Sequence, residues 1–327
     1  MTLELDSLAE LEAALHGAGE TARVYIGYGA TAPSAPEPCR LPKIACTFDP
    51  PPVAAGAYEI GDWQATWSEH DYVEAIETVR AAIHEGDVYQ VNLVQHLHAP
   101  FAGDPLALAD ALAPLRPLEP LPFAGDGWTI VSASPELLLS KRGRTLRTSP
   151  IKGTRPAGVS IESAKDAAEH VMIVDLERND LARVSVPGTV RWPELLAERE
   201  LAGVTHLVAT VEAELREDVA LTEILEAVLP GGSVTGCPKL AALDLIAALE
   251  PVGRGASMGA LGQVHPNGDF DLALTIRTFA VAEGEIHLWV GGGIVWDSDP
   301  AAEVEESWVK ARPLLTAIGA PLPVAVA

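Results

Sequence analysis

The sequence predicts an α+β fold, a large sheet-rich core with helices packed outside it, and three observations carry that prediction. The chain has 327 residues, 48% of them hydrophobic and 21% charged, enough apolar material for a substantial buried core. Its strand-like segments follow one another through short turns, and strands so joined pair antiparallel. They also come in groups separated by helices instead of alternating βαβ units.

Residues 1–62 read as a short amino-terminal segment of the same globule, loop-rich from Ala30 to Pro52, and residues 63–320 as the main domain. The first strong element is a helix from Ser68 to Glu85. Ser68 caps it with Asp71 three residues on, Tyr72, Ile76, Val79 and Ile83 share one face, and Gly86 ends it. VYQVNLVQHLHA then alternates like a strand. WTIVSAS, ELLLSKRG and TLRTSPI are further strands, with the turn-like RGR between the last two. A helix is expected from Ser163 to about Leu181 and another from Leu221 to Val228. After the loop PGGSVTGCPK come a helix from Leu240 to Glu250 and the strands ALGQVH, DLALTIRTFAVAEG and EIHLWVGGGIV, with a turn at Asn267 and Gly268. The last helix begins at Asp299 and Pro300.

Acidic residues outnumber basic ones 46 to 22, for a net charge of −24, which opposes binding to nucleic-acid phosphates or an anionic membrane surface. An anionic ligand would therefore need a locally positive pocket. Cys39, Cys46 and Cys237 have no metal-binding spacing and leave one unpaired, which fits a reducing cytosol. The amino terminus lacks the apolar stretch of a secretory signal and no apolar run reaches membrane-span length, so a soluble cytoplasmic protein is expected.

Five segments hold candidate chemistry. In KDAAEHVMIVDLERNDL, Asp166, Glu169 and His170 fall at helical offsets of three and four and share one face. In DSDPAAEVEESWVKA, Glu303, Glu306 and Lys310 line one side of a helix. Each stripe alone reads as a solvated face; together they would offer the hard oxygen ligands that Mg²⁺ prefers. SPIKGTRP runs a strand into a Gly-Thr turn with Lys152 in an uncharged setting; by composition it reads as a surface lysine, the alternative being a desolvated one whose lowered pKa exposes a nucleophilic amine. PGGSVTGCPK and VGGGIV are glycine-rich turns able to present backbone N–H groups to an anion. Neither matches the phosphate loop or the dinucleotide fingerprint, so ATP and NAD are not indicated.

In this order, GDVYQVNL, SASPELLLS, SPIKGTRP, KDAAEHVMIVDLERNDL, VTHLVATV, PGGSVTGCPK, DLALTIRT, VGGGIVWDSDP and EVEESWVKA resemble the chorismate-utilising enzymes. That family includes anthranilate synthase component I, aminodeoxychorismate synthase component I, isochorismate synthase and salicylate synthase. The resemblance covers roughly Ser68 to Leu315. It implies two packed antiparallel sheets with helices outside, as in anthranilate synthase component I, and makes residues 63–320 the chorismate-binding catalytic domain.

Residue by residue, the resemblance implies Mg²⁺ on Glu169 and Glu306, with Asp166 and Glu303 one turn away in support. Substrate carboxylates would be held by Arg277, by the turn at Gly153 and Thr154, and by Gly291, Gly292 and Gly293. Thr235 and Lys310 would line the same pocket, His206 matches the active-site histidine, and Glu136 in SPE matches the catalytic acid. Lys152 separates the activities: anthranilate synthases resemble PIAGT here and aminodeoxychorismate synthases PIKGT, whose lysine attacks ring C2 as the C4 hydroxyl leaves. Isochorismate and salicylate synthases resemble this chain less, because their water-activating lysine aligns with Gln90, and glutamine is no base. The chain departs from the family at Ser257, where a tyrosine meets the substrate carboxylate, and at Gln263, where another aromatic is usual.

The resemblance therefore implies a Mg²⁺-dependent aminodeoxychorismate synthase component I that makes the precursor of 4-aminobenzoate for folate. Anthranilate synthase and a catalytically inactive chorismate-binding or partner subunit are the alternatives. No glutaminase GxCxG motif surrounds any cysteine. Ammonia is thus expected from a separate glutamine amidotransferase subunit or from free ammonium.

Overall fold

The computed structural model describes residues 1–156, 164–201 and 204–321. Among them, every strand ladder is antiparallel, as the short turns require. The larger, ten-stranded sheet runs in the order Leu3–Leu5 (β1), Ile44–Thr47 (β3), Ala22–Ile26 (β2), Ala260–Val264 (β15), Phe270–Leu274 (β16), Leu137–Arg142 (β9), Thr145–Ser149 (β10), Val204–Glu214 (β13) and Ile151–Pro156 (β11). Arg191–Leu201 (β12) pairs with β13 off that path. The eight-stranded sheet runs Gly236–Cys237 (β14), Gln90–Gly103 (β6), Glu285–Ile294 (β18), Thr278–Ala282 (β17), Trp128–Ser132 (β8) and Phe123–Gly125 (β7), with Tyr58–Ile60 (β4) and Gln64–Ala65 (β5) also on β6. The helices are Leu8–Leu15 (α1), Glu69–Glu85 (α2), Leu108–Leu112 (α3), Ala164–Ala182 (α4), Leu221–Val228 (α5), Lys239–Leu249 (α6) and Pro300–Ala317 (α7).

Alternation explains how the two sheets share a core. In β8 and β17, Ile130, Ala280 and Ala282 join the main cluster with Val24, Tyr25, Ile26 and Leu261 of the larger sheet. Their neighbours Val131, Phe279 and Val281 point the other way, into a second cluster under α3 and α7 with Leu288, Leu314 and Leu315. The smaller sheet is thus buried on both faces, which is why its strands read as nearly continuous apolar runs. Fully burying one such side chain, Phe279 for example, contributes about 1.5–3 kcal/mol.

The expected caps are present. Ser68 Oγ accepts from the Asp71 N–H at 3.1 Å, and Gly86 closes α2 in the left-handed region at φ 87°. Asp299 caps α7 by accepting from the Ala302 N–H. Two expectations change. DLALTIRTFAVAEG is two strands, not one: β16 lies in the larger sheet and β17 in the smaller, and the chain crosses between them at Arg277, whose φ is 51°. The loop-rich region holds β3, which pairs with β1 and β2 and carries buried Ile44 and Cys46. Its four residues are too short for periodicity to reveal.

Candidate active site

Two side chains reach the site because the chain changes sheets. β8 belongs to the smaller sheet and β9 to the larger, and Glu136 occupies the crossover; Arg277 occupies the second crossover, between β16 and β17. Such corners aim side chains into the gap between sheets and bury them there. Glu136 is 4% exposed. Burial pushes its pKa up to about 7, against a hydrogen bond from Ser233 and the nearby charges of Lys152 and Arg277. Burial also lowers the Arg277 pKa, with Glu136 opposing.

Lys152 comes from β11. The expected Gly-Thr turn is a bulge inside this strand: its register with β13 shifts between Lys152 and Arg155, and Gly153 has φ 61°. The bulge lets the Gly153 carbonyl accept from His206 Nδ1–H at 2.9 Å. Lys152 Nζ donates to Glu169 Oε1 at 2.9 Å and to the Ser233 carbonyl at 3.4 Å. Ser233 Oγ in turn donates to Glu136 Oε1 at 2.6 Å. One residue therefore ties the amine to the buried acid.

The expectation of a lowered lysine pKa is corrected. Burial alone would lower it, but the carboxylate of Glu169 outweighs burial and holds the ammonium above the usual lysine value. Glu169 shows the mirror effect: burial would raise its pKa, and Lys152 holds it below the ordinary value.

The two acidic helices do approach one another, beside the glycines of β18. A Cβ on Gly292 would stand 3.3 Å from Glu306 Oε1 and Lys310 Nζ and 3.4 Å from Glu303 Oε2. A Cβ on Gly293 would collide with Gln90 Nε2 and stand 2.8 Å from Glu169 Oε1. Successive Cβ positions face opposite sides of a strand, so the α7 carboxylates and Glu169 of α4 stand beside neighbouring glycines of β18, and their charges reach one another: Lys152 is influenced by both Glu169 and Glu306, and Glu169 by Lys310. Gln90 donates to Glu169 Oε1 at 3.0 Å, and its own Oε1 is buried without a protein partner. Past Leu288, β17 no longer pairs with β18, so among the described strands only β6 pairs with the glycine stretch. Lys310 Nζ donates to the Gly291 carbonyl at 2.7 Å and pairs with Glu306 at 2.8 Å.

Among the described residues, no group of three or more His, Cys, Asp or Glu is set to hold a metal by itself. Two carboxylates from different helices, beside neighbouring glycines, still fit Mg²⁺, which takes its remaining ligands from water and substrate. Glu303 is buried and accepts from Ser298 Oγ at 2.6 Å.

Not every expected residue points at this cluster. Thr235 Oγ1 donates back to the Gly231 carbonyl at 3.0 Å, closing its own turn. Ser257 Oγ donates to the Thr275 carbonyl at 3.2 Å and is fully buried. The side chains of Thr154 and Asp166 lie outside the described residues. Two contributors escaped the sequence reading. Ser233 was visible only as part of a glycine-rich loop. Arg254 is completely buried, grips Glu250 with two hydrogen bonds, and donates to the carbonyls of Val234 and Asn92, bracing the Ser233 turn against β6.

Between the two sheets a lysine, an acid and an arginine come together, with carboxylates of two helices nearby, a clustering of charged side chains typical of an enzyme. The chain belongs to the family described as chorismate binding enzyme, which matches residues 20–316. It is 39% identical over 297 residues to anthranilate synthase component 1 of Streptomyces coelicolor, covering 85% of this chain and 58% of that protein. It is 43% identical over 271 residues to anthranilate synthase component 1 of Thermus thermophilus, covering 78% and 58%. It is 39% identical over 279 residues to aminodeoxychorismate synthase component 1 of Klebsiella aerogenes, covering 81% and 61%. The chain thus spans about six tenths of the length of these relatives. Its fold is that of anthranilate synthase component I from Streptococcus pneumoniae, with a TM-score of 0.82, 24% identity, and coverage of 95% of this chain and 86% of that one. No helix among the described residues is long and apolar enough to cross a membrane.

Proposed function

We propose that the chain is a Mg²⁺-dependent aminodeoxychorismate synthase component I, acting on chorismate and ammonia in the cytoplasm toward 4-aminobenzoate and folate. One observation carries this reading: the Lys152 amine and the buried acid Glu136 share Ser233 as a hydrogen-bonding partner. The anionic substrate meets positive charge from Arg277 and Lys310 and the peptide groups of Gly291, Gly292 and Gly293. Lys152, once it has given up its proton, adds to ring C2 while Glu136 protonates the departing C4 hydroxyl. Ammonia then adds at C4 and Lys152 leaves. His206 fixes the Gly153 bulge and so the height of Lys152 on its strand. Glu169 and Glu306 would hold Mg²⁺, beside Glu303 and Asp166, and the ion would supply positive charge for a substrate carboxylate. Ammonia would come from a separate glutamine amidotransferase subunit, in keeping with the words "component 1" in the relatives' names.

A second reading, anthranilate synthase component I, is favoured by the relatives from Streptomyces and Thermus that bear that name. Product analysis decides. The purified chain is incubated with chorismate, Mg²⁺ and ammonium beside Lys152→Ala. Aminodeoxychorismate from the wild type and none from the variant supports the proposal. Anthranilate from the wild type, or an undiminished yield of aminodeoxychorismate from Lys152→Ala, refutes it.

A further inference from the structure

Glu136 must be protonated to act as the acid, yet it is shut away from solvent by the turn that positions it. A second carboxyl lies on the far side of that turn. Glu177 is 7% exposed, and a Cβ on Gly232 would stand 3.4 Å from its Cγ, while the next residue, Ser233, bonds Glu136. Thr148 Oγ1 donates to Glu177 Oε2 at 2.9 Å. Beside Glu177 is a cavity with about 10 Å³ of space for water, lined by Thr148, Glu177, Asp180, Gly231 and Gly232. That is the room of a single water molecule, and the hydroxyl and two carboxyls supply the partners such a water needs. At its outer end Asp180 Oδ2 accepts from Lys239 Nζ at 2.6 Å, and these two side chains are 10% and 15% exposed.

We propose that Glu177, this cavity and the Asp180–Lys239 pair form a proton route that connects Glu136 with solvent. The proposal rests on the reading of Glu136 as the acid. Glu177 acts through Glu136 and is a positioning residue for its proton.

The charges along the path set which carboxyls hold a proton at rest. Burial, reinforced by the charge of nearby Glu136, holds the Glu177 carboxyl well above the usual range, so it stays protonated and can relay. Burial raises Asp180 to about 6, against the pull of Lys239 and Arg183. Lys152 and Arg277 face Glu136 from the other side and favour its ionised form after it has acted. The protons balance: Glu136 gives one to the departing hydroxyl, which leaves as water, and the nitrogen added at C4 sheds one as the bond to Lys152 breaks. The turnover is neutral overall, and the route reloads Glu136 between turnovers.

Glu177→Gln keeps the bond with Thr148 but cannot relay a proton, and Asp180→Asn interrupts the outer end. Infrared spectroscopy on the full chain, without chorismate, follows hydrogen–deuterium exchange at the protonated Glu136 carboxyl, assigned with Glu136→Gln. Exchange slowed about tenfold or more in both variants is expected if the route is the main one. Exchange as fast as in the wild type overturns it, whatever reaction the protein catalyses. With chorismate and ammonium, the first turnover of Glu177→Gln should match the wild type while steady-state turnover falls, most steeply at high pH. Equal loss in both phases marks a packing defect and also overturns the route. Absence of any turnover by the wild type would refute the proposed function and leave the infrared result standing.

Discussion

Replacing Lys152 by methionine removes the ammonium and keeps the apolar bulk, so it isolates the Lys152–Glu169 pair. Both side chains are largely buried, at 15% and 17% exposure. Removing one partner of a buried pair leaves the other charge uncompensated and costs about 3–5 kcal/mol; the residual exposure and the surviving bond from Gln90 place this case near about 3 kcal/mol. For a chain of this size that is a drop in Tm of about 4–5 °C. Adding Glu169→Gln to Lys152→Met should restore most of the loss, because no buried charge then remains. The pH dependence has opposite signs in the two proteins. In the wild type the folded pKa of Glu169 lies below its ordinary 4.5, so its contribution is present above that pH and is lost as pH falls. In Lys152→Met burial is opposed only by Lys310 and the bond from Gln90, so the folded pKa rises, and stability declines as pH climbs above about 4. Urea titrations of the wild type, both single variants and the double variant at two pH values measure the cycle. A loss of less than about 1 kcal/mol in Lys152→Met, as for an exposed pair, or no recovery in the double variant, would refute the reasoning.

Four further outcomes are expected. Gly293→Ala drives a methyl into Gln90 and Glu169; both can swing aside, so thermal melts should shift little while calorimetry shows Mg²⁺ binding weakened by about tenfold, the equivalent of one lost hydrogen bond. Arg254→Met strands buried Glu250 and should cost about 3–5 kcal/mol in urea melts, with a change under 1 kcal/mol counting against the brace. His96 and His287 touch at 3.1 Å and are buried, and burial lowers their pKa values from 6.5 to about 3 and about 4. Their contribution is present above about pH 6.5 and is lost as pH falls towards 4, so His96→Gln should flatten the acid side of a stability profile. On the proposed role of Glu136 as the acid, with its pKa pushed up to about 7 by burial, turnover should decline above that pH, and Glu136→Gln should lose about 10²–10⁴ of kcat in the chorismate assay.

Legibility in the sequence followed physical scale. The α2 helix was readable because its cap, apolar face and terminal glycine all lie within one segment, and α5 was readable down to its ends. The crossover at Arg277 was not: T-I-R-T continues the apolar run on both sides, and only the pairing partners distinguish β16 from β17. At the site, the lysine, the SPE acid and both acidic helix faces were visible as residue types in motifs. Their approach beside Gly292 and Gly293 was not, because it depends on α7 packing against β18 while α4 packs against β13 of the other sheet. Ser257 and Thr235 matched pocket positions by motif, yet each hydroxyl is satisfied by a nearby carbonyl.

The sequence by itself determined the α+β class, most elements of the main domain and the inventory of chemical groups, because periodicity, caps and motifs are local properties. Tertiary structure decided the charge state of that inventory. Lys152 read either as a surface lysine or as a desolvated, easily deprotonated one; the fold buries it, sets Glu169, seventeen residues away in the chain, 2.9 Å from its nitrogen and holds its pKa up instead of down. Nothing in the sequence singles out Glu177, and the fold encloses it, where burial, reinforced by the charge of Glu136, holds its carboxyl well above the usual range. A pKa is the sum of desolvation and nearby charges in space, and the order of residues along a chain specifies neither until the chain has packed.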